Sequence, residues 1–140
     1  MKKFVSIISI LLLSLIILQL AACNLITPSA LGSWKPYKVA YDNTYHSVEN
    51  WNTLHPDANV TTISIDLYSN GEAKLFTTLN AGTESFTITL DADWTQDGLK
   101  ITLVAEMLVT IELHRESNFL TQKFTLPDNT TATIYYKKSI

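Results

Sequence analysis

Apolar residues recur at every second position in six short runs of this chain. Thr62-Ile63-Ser64-Ile65-Asp66-Leu67 and Ser85-Phe86-Thr87-Ile88-Thr89-Leu90 are the clearest, and residues 100–103, 109–114, 123–126 and 132–136 repeat the pattern. Side chains alternate between the two faces of a strand, so this spacing turns one set to a core and the other to water. A helix needs a 3.6-residue period, and only residues 44–54 could form one short helix. Thr supplies 18 of the residues from 23 onward, a β-favouring choice.

Turn chemistry separates the runs. Ser69-Asn70-Gly71-Glu72 reads as a hairpin turn with positive φ at both Asn70 and Gly71. Asn80-Ala81-Gly82, Gln96-Asp97-Gly98, Arg115-Glu116-Ser117-Asn118 and Pro127-Asp128-Asn129 are further breaks, and a weaker one falls near Glu106-Met107. Together these predict strands at 34–41, 60–68, 73–80, 84–91, 99–105, 108–114, 119–126 and 131–138. Short connections make successive strands antiparallel neighbours. Closing them into a cylinder removes both exposed edges, and a two-sheet sandwich is the competing arrangement. The expected fold is therefore all-β, an up-and-down antiparallel eight-stranded barrel over residues 32–140. Its expected inward set is bulky: Ile63, Ile65, Leu67, Phe86, Ile88, Leu90, Ile101, Leu103, Val109, Ile111 and Leu113.

A different object precedes this domain. Residues 1–22 hold 16 apolar side chains behind Lys2 and Lys3, and end Leu20-Ala21-Ala22 before Cys23, the one cysteine of the chain. A positive start, an apolar middle and small residues before a cut site make a secretory leader. The run Leu20-Ala21-Ala22-Cys23 resembles the cleavage box of bacterial lipoproteins. That resemblance implies a diacylglyceryl group on Cys23, cleavage before it and acylation of the new amine. Each buried CH₂ adds roughly 0.8 kcal/mol of membrane affinity, so two or three chains hold stably. Residues 23–31 then read as the lipidated cysteine and a tether. The implied address is the cell envelope: the outer membrane if two membranes exist, since Asn24 is not the Asp of inner-membrane retention, and otherwise the cell membrane.

Beyond the leader, eight Lys/Arg face thirteen Asp/Glu. That balance excludes a polybasic nucleic-acid binder. One cysteine excludes an intrachain disulfide framework.

Gly32-Ser33-Trp34 opens the first strand, Leu67-Tyr68-Ser69-Asn70-Gly71-Glu72-Ala73 forms a strand–turn–strand unit, and Trp94-Thr95-Gln96-Asp97-Gly98 follows. With the leader and its cysteine, these residues resemble the small bacterial lipocalin-like lipoproteins. The resemblance implies a barrel whose Trp34 closes the bottom against a basic residue near the last strand, here Lys137 or Lys138. It also implies a first loop folded over the open end.

That loop is the long connection from Asp42 to Asn59, polar yet holding Tyr45, Trp51 and Leu54. Long loops in compact domains are often lids or binding loops. Two readings stand: a lid over a site for a small apolar ligand, lined by Tyr45, Trp51 and Leu54, or a plug whose aromatics cap a filled barrel. The second accords with an envelope lipoprotein whose partner is another protein.

Catalytic signals are absent. There is no Gly-x-Ser-x-Gly elbow and no Gly-rich phosphate loop. His46 and His55, near Glu49 and Asp57, lack the three or four converging ligands a metal requires, and read as solvated loop residues. Asp91-Ala92-Asp93 with Asp97 reads as a solvated turn rather than a calcium site. The expectation is a non-enzyme with no cofactor, no metal and no nucleic-acid partner.

Expressed in a bacterium, the chain is expected to yield an N-terminal peptide starting at an acylated Cys23. Mass spectrometry of the membrane fraction checks this, and an uncut leader carrying a free thiol at position 23 refutes it.

Overall fold

The computed structural model describes residues 29–106 and 109–139. The leader 1–22, Cys23 and the tether to residue 28 lie outside them, as does Met107 in the weak turn.

Nine strands occur among the described residues: β1 (Gly32–Tyr41), β2 (Thr44–Ser47), β3 (Thr62–Leu67), β4 (Glu72–Ala81), β5 (Glu84–Asp97), β6 (Lys100–Ala105), β7 (Val109–Glu116), β8 (Phe119–Thr125) and β9 (Thr131–Lys138), with one helix, α1 (Val48–Leu54), between β2 and β3. Every pairing is antiparallel. The order runs β1-β3-β4-β5-β6-β7-β8-β9, and β9 pairs back onto β1. The expected eight-stranded barrel is thus closed, and β2 is a ninth strand added beside β1. The tether enters at the end of the barrel that also carries residue 139, and α1 sits at the opposite end.

β1 makes the closure. Along one edge it pairs with β9 from Trp34 to Ala40; along the other, Gly32–Trp34 meets β3 and Lys38–Tyr41 meets β2. Its register to β9 slips by one between Pro36 and Lys38, a β-bulge at Tyr37. Proline has no N–H to give a ladder, which suits it to such a place. The bulge explains a parity that alternation alone forbids. Trp34 and Val39 are an odd number apart, yet both are fully buried, while Lys35 and Tyr37 between them are exposed.

A second bulge, at Ile63, breaks the β3–β4 register. It leaves Ile63 41% exposed, against the expectation that it points inward. Phe86 and Val109 also depart from the expected inward set, at 49% and 54% exposed. Their alternation is as predicted, but the cylinder is not tall enough to cover them. β4 pairs with β3 only up to Thr77, and β5 pairs with β6 only from Ala92. The rest of the β4–β5 hairpin projects as a two-stranded ribbon, with Leu79 opposite Phe86. Ile88, at the root of that ribbon, also stays out of the core, and the remaining inward residues fill it with Trp34, Trp51, Leu120 and Tyr136.

Two other expectations are corrected. β5 runs on to Asp97, so Asp91-Ala92-Asp93 is strand rather than turn. Its carboxylates face solvent while Ala92 and Trp94 pack on the core. At the β3–β4 turn only Gly71 is left-handed, at φ 86°, and the Asn70 side chain accepts from the Glu72 amide instead. The turn with two positive-φ residues is Asp42-Asn43, at 48° and 58°, hidden inside the supposed long loop. It makes β1–β2 a tight hairpin.

Deleting Tyr37 removes the bulge but leaves Trp34 and Val39 an even number apart, so plain alternation keeps both inside, keeps Lys35 and Lys38 outside and preserves every β1–β9 partner. The deletion is therefore expected to keep cooperative thermal unfolding followed by circular dichroism. Val39→Lys, which buries an unpaired ammonium at a cost comparable to the whole stability of a domain, about 5–15 kcal/mol, is expected to abolish it.

Candidate functional site

The two ends of the barrel are sealed differently. At the tether end Trp34 is fully buried, and its Nε1 donates to the Ala30 carbonyl at 2.8 Å. The Lys138 ammonium lies 5.8 Å from its ring centroid, as the resemblance implied for one of the two lysines. Gly32 makes room for that side chain. Its φ is 121°, and a Cβ there would stand 2.6 Å from Lys138 Cε. Arg115 lies closer still, with its guanidinium carbon 4.8 Å from the ring centroid. The sequence assigned Arg115 to a turn, but β7 extends to Glu116, so Arg115 points inward opposite Leu120. Its Nε and Nη1 are buried without a hydrogen-bond partner, and burial lowers its pKa. The indole face is the compensating contact.

At the far end α1 is the stopper. Ser47 caps it by accepting from the Asn50 amide, and the His55 amide closes its last turn on the Trp51 carbonyl at 2.8 Å. The helix drives Trp51 into the barrel mouth. The indole is fully buried, stacks on His55 at 3.9 Å, meets Tyr41 and Phe124 edge-on, and donates from Nε1 to the Ala58 carbonyl. His46 lies 5.9 Å away, tilted against the same ring. The two histidines therefore pack on Trp51 rather than standing free in solvent. Among the described residues, no three His, Cys, Asp or Glu side chains come together as a metal site.

Tyr45, Trp51 and Leu54 are not brought together. Trp51 plugs the mouth, Tyr45 lies on the outer wall against Tyr135, and Leu54 is 62% exposed. The opening lies beside the plug. Residues 57–62 and the ends of β8 and β9 enclose a cleft of about 440 Å³. Val60, Phe124, Leu126 and Ile134 supply its apolar side. Asn52 fixes Val60 by gripping both its amide, at 2.8 Å, and its carbonyl, at 3.3 Å. Thr62 and Gln122 supply polar groups where the cleft reaches the barrel interior. Tyr136 lies behind them, and its hydroxyl donates to Gln122 Oε1 at 2.7 Å. Burial pushes the Tyr136 phenol up to about 12, and a hydrogen bond from Thr62 pulls the other way. The projecting ribbon flanks this mouth through Thr61, whose carbonyl accepts from the Thr78 amide and the Thr77 hydroxyl.

A wider hollow of about 560 Å³ lies on the outer wall over Ala73, Ala92 and Ala105. It is rimmed by Glu72, Asp91 and Asp93. The mouth cleft, by contrast, draws part of its lining from inward-facing barrel residues, Thr62, Gln122, Phe124 and Ile134. Sequence reasoning missed it, although one signal was present. Gln122 is polar at a position where its same-face neighbours on β8, Leu120 and Phe124, are apolar.

No family model matches the chain, and no curated protein matches its sequence. A crystal structure of a lipocalin-like protein from Bacteroides uniformis aligns with it over 78% of this chain and 97% of that one. The TM-score is 0.49 and the identity 11%.

The raised Tyr136 pKa makes stability fall in alkali. Below about pH 10 the phenol is protonated in both states. Above it the unfolded chain releases the proton, while the folded one holds it until about pH 12. Across that window the unfolding free energy is expected to drop by about 2–3 kcal/mol. Denaturant melts at pH 9 and pH 12 check this, and Tyr136→Phe is expected to lose that much less.

Proposed function

We propose that this chain is a lipid-anchored cell-envelope lipoprotein with a lipocalin-like barrel, and that the barrel binds a small, mainly apolar molecule in the cleft beside Trp51. The observation that carries the binding reading is the mixed lining of that cleft. Its volume falls in the range of small-molecule sites, which pair apolar walls with a few fixed polar groups. Gln122 gives one oxygen to Tyr136, and its amide NH₂ is left to meet an acceptor on the ligand. The ligand is therefore an apolar body bearing a carbonyl, hydroxyl or acid group.

The role is binding rather than catalysis. Among the residues lining the cleft, Asp57 is the one ordinary acid or base, and it is exposed. The leader and its Leu20-Ala21-Ala22-Cys23 box support the membrane anchor. A second reading, a protein-interaction lipoprotein, draws on the projecting β4–β5 ribbon. Leu79 and Phe86 stand together there in solvent, on a hairpin whose outer edges lack strand partners among the described residues.

The probe 1-anilinonaphthalene-8-sulfonate, an apolar body with an anionic acceptor, tests the cleft. Fluorescence titration is expected to show saturable binding to the wild type. Thr62→Trp, which fills the cleft, and Gln122→Met, which removes its donor, should each weaken binding roughly ten-fold. Leu99→Ala, in the β5–β6 turn away from the cleft, should leave binding unchanged. Wild-type affinity in both cleft variants refutes the site.

A further inference from the structure

The outer wall made by β8, β9 and β1 differs in charge from the rest of the barrel. On their outer face these strands carry four of the eight basic residues beyond the leader, Lys35, Lys38, Lys123 and Lys137, while Lys138 turns in over Trp34, and the three strands carry no acid. β4 to β7 carry seven acids, Asp91 and Asp93 among them, against Lys74, Lys100 and Arg115. Glu116, paired with Phe119, marks the border. The bulge at Tyr37 is what puts Lys35 and Lys38, an odd number apart, on the same outer face. Lys35 pairs with Lys137 and Lys38 with Tyr135.

Aromatic rings share this wall. Tyr37 stacks on Phe119 at 6.0 Å, and Tyr135 meets Phe119 and Tyr45 edge-on at 5.7 and 6.0 Å. The Lys38 ammonium sits among them, 3.9 Å from the Tyr45 centroid and 4.9 Å from that of Tyr135, and Lys137 covers Tyr37 at 5.4 Å. Tyr37 and Tyr45 remain 51% and 61% exposed. Amphipathic rings with ammonium groups beside them suit the headgroup layer of a membrane, where the ring enters the boundary and the cation stays with phosphate.

We propose that this wall lies on the anionic headgroups of a lipid bilayer, with its tyrosines at headgroup depth and its lysines against phosphate. The proposal rests on the anchored reading for its geometry. Residues 24–29 separate Cys23 from Ala30, and chain of that length spans at most about 25 Å. That reach keeps the barrel end bearing Lys35, Lys137 and Lys138 close to the surface holding the acyl chains. Charge complementarity then decides which side of the barrel turns to that surface.

The test uses the full chain as recovered from membranes, reconstituted into vesicles of phosphatidylcholine alone or with abundant phosphatidylglycerol. Lysines are labelled with a water-soluble acylating ester and read by peptide mass spectrometry. In anionic vesicles, labelling of Lys35, Lys123 and Lys137 is expected to fall about three-fold or more, with Lys74 and Lys100 unchanged; about 0.5 M salt should restore it. The variant Lys35→Glu/Lys137→Glu, with its fold checked by circular dichroism, should lose the protection of Lys123. Equal labelling of both walls in anionic vesicles overturns the proposal. So does protection that appears in native envelopes but not in pure lipid, which assigns the wall to a protein partner. The mass of the Cys23 peptide from the same digest reads the anchor separately. A free thiol there sinks the anchored reading, while the lysine pattern still decides the docking.

Discussion

The structure depends on one strand that is bonded along both edges to three others. β1 holds β9 along its length, β3 through its first residues and β2 through its last. Without it the other strands form an open sheet with two long exposed edges, a state prone to pairing with other chains. Its bulge decides more than closure. By spending one extra residue at Tyr37 it buries both Trp34 and Val39, and it keeps every lysine of the strand outside. Core, end closure and charged wall are set by a single slip in register.

The barrel interior is close to filled, and its function lies in what the filling leaves. Burying an indole such as Trp34 or Trp51 is worth about 3–5 kcal/mol against truncation, so both ends gain stability from their stoppers. Trp51 blocks the centre of the mouth but not the side where residues 57–62 face β8. There the lining turns from Phe124 and Ile134 to Gln122 and Thr62, and behind Gln122 lies the Tyr136 hydroxyl that burial keeps protonated. A cleft with an apolar side and a few oriented polar groups selects shape first and head-group chemistry second.

Much of this was legible from alternation. β4, β6, β8 and β9 fall within one or two residues of their predicted bounds, because each buries one face and alternation reports that directly. What escaped depended on distant partners. The bulges at Tyr37 and Ile63 are set by the neighbouring strands and leave no local mark beyond Pro36. The projection of Leu79 and Phe86 depends on where β3 and β6 stop. β5 was cut short because Asp91 and Asp93 look like a turn, although Ala92 and Trp94 keep the period. Arg115 and Gln122 are inward polar groups, and a polar residue in an apolar register was the one readable clue to either. The β1–β2 hairpin was also readable, since Asp42 and Asn43 are residue types that tolerate positive φ. The cleft was not, because its walls come from segments some 60 residues apart in sequence.

Ala30 and Ser139 sit at the same end of the cylinder, and the Ser139 amide donates to the Ser33 carbonyl at 2.7 Å. The strands carrying the chain ends are therefore antiparallel neighbours like any other pair. The pairing ring has no intrinsic first member: a short linker could join the ends and a new break could be cut at another turn without losing a ladder. As the chain is wired, its longest-range contact is the one that completes the ring, and folding slows when contacts are distant in sequence. A circular permutant opened between β4 and β5 would make that contact local, and the order in which the cylinder assembles would change while its final shape would not.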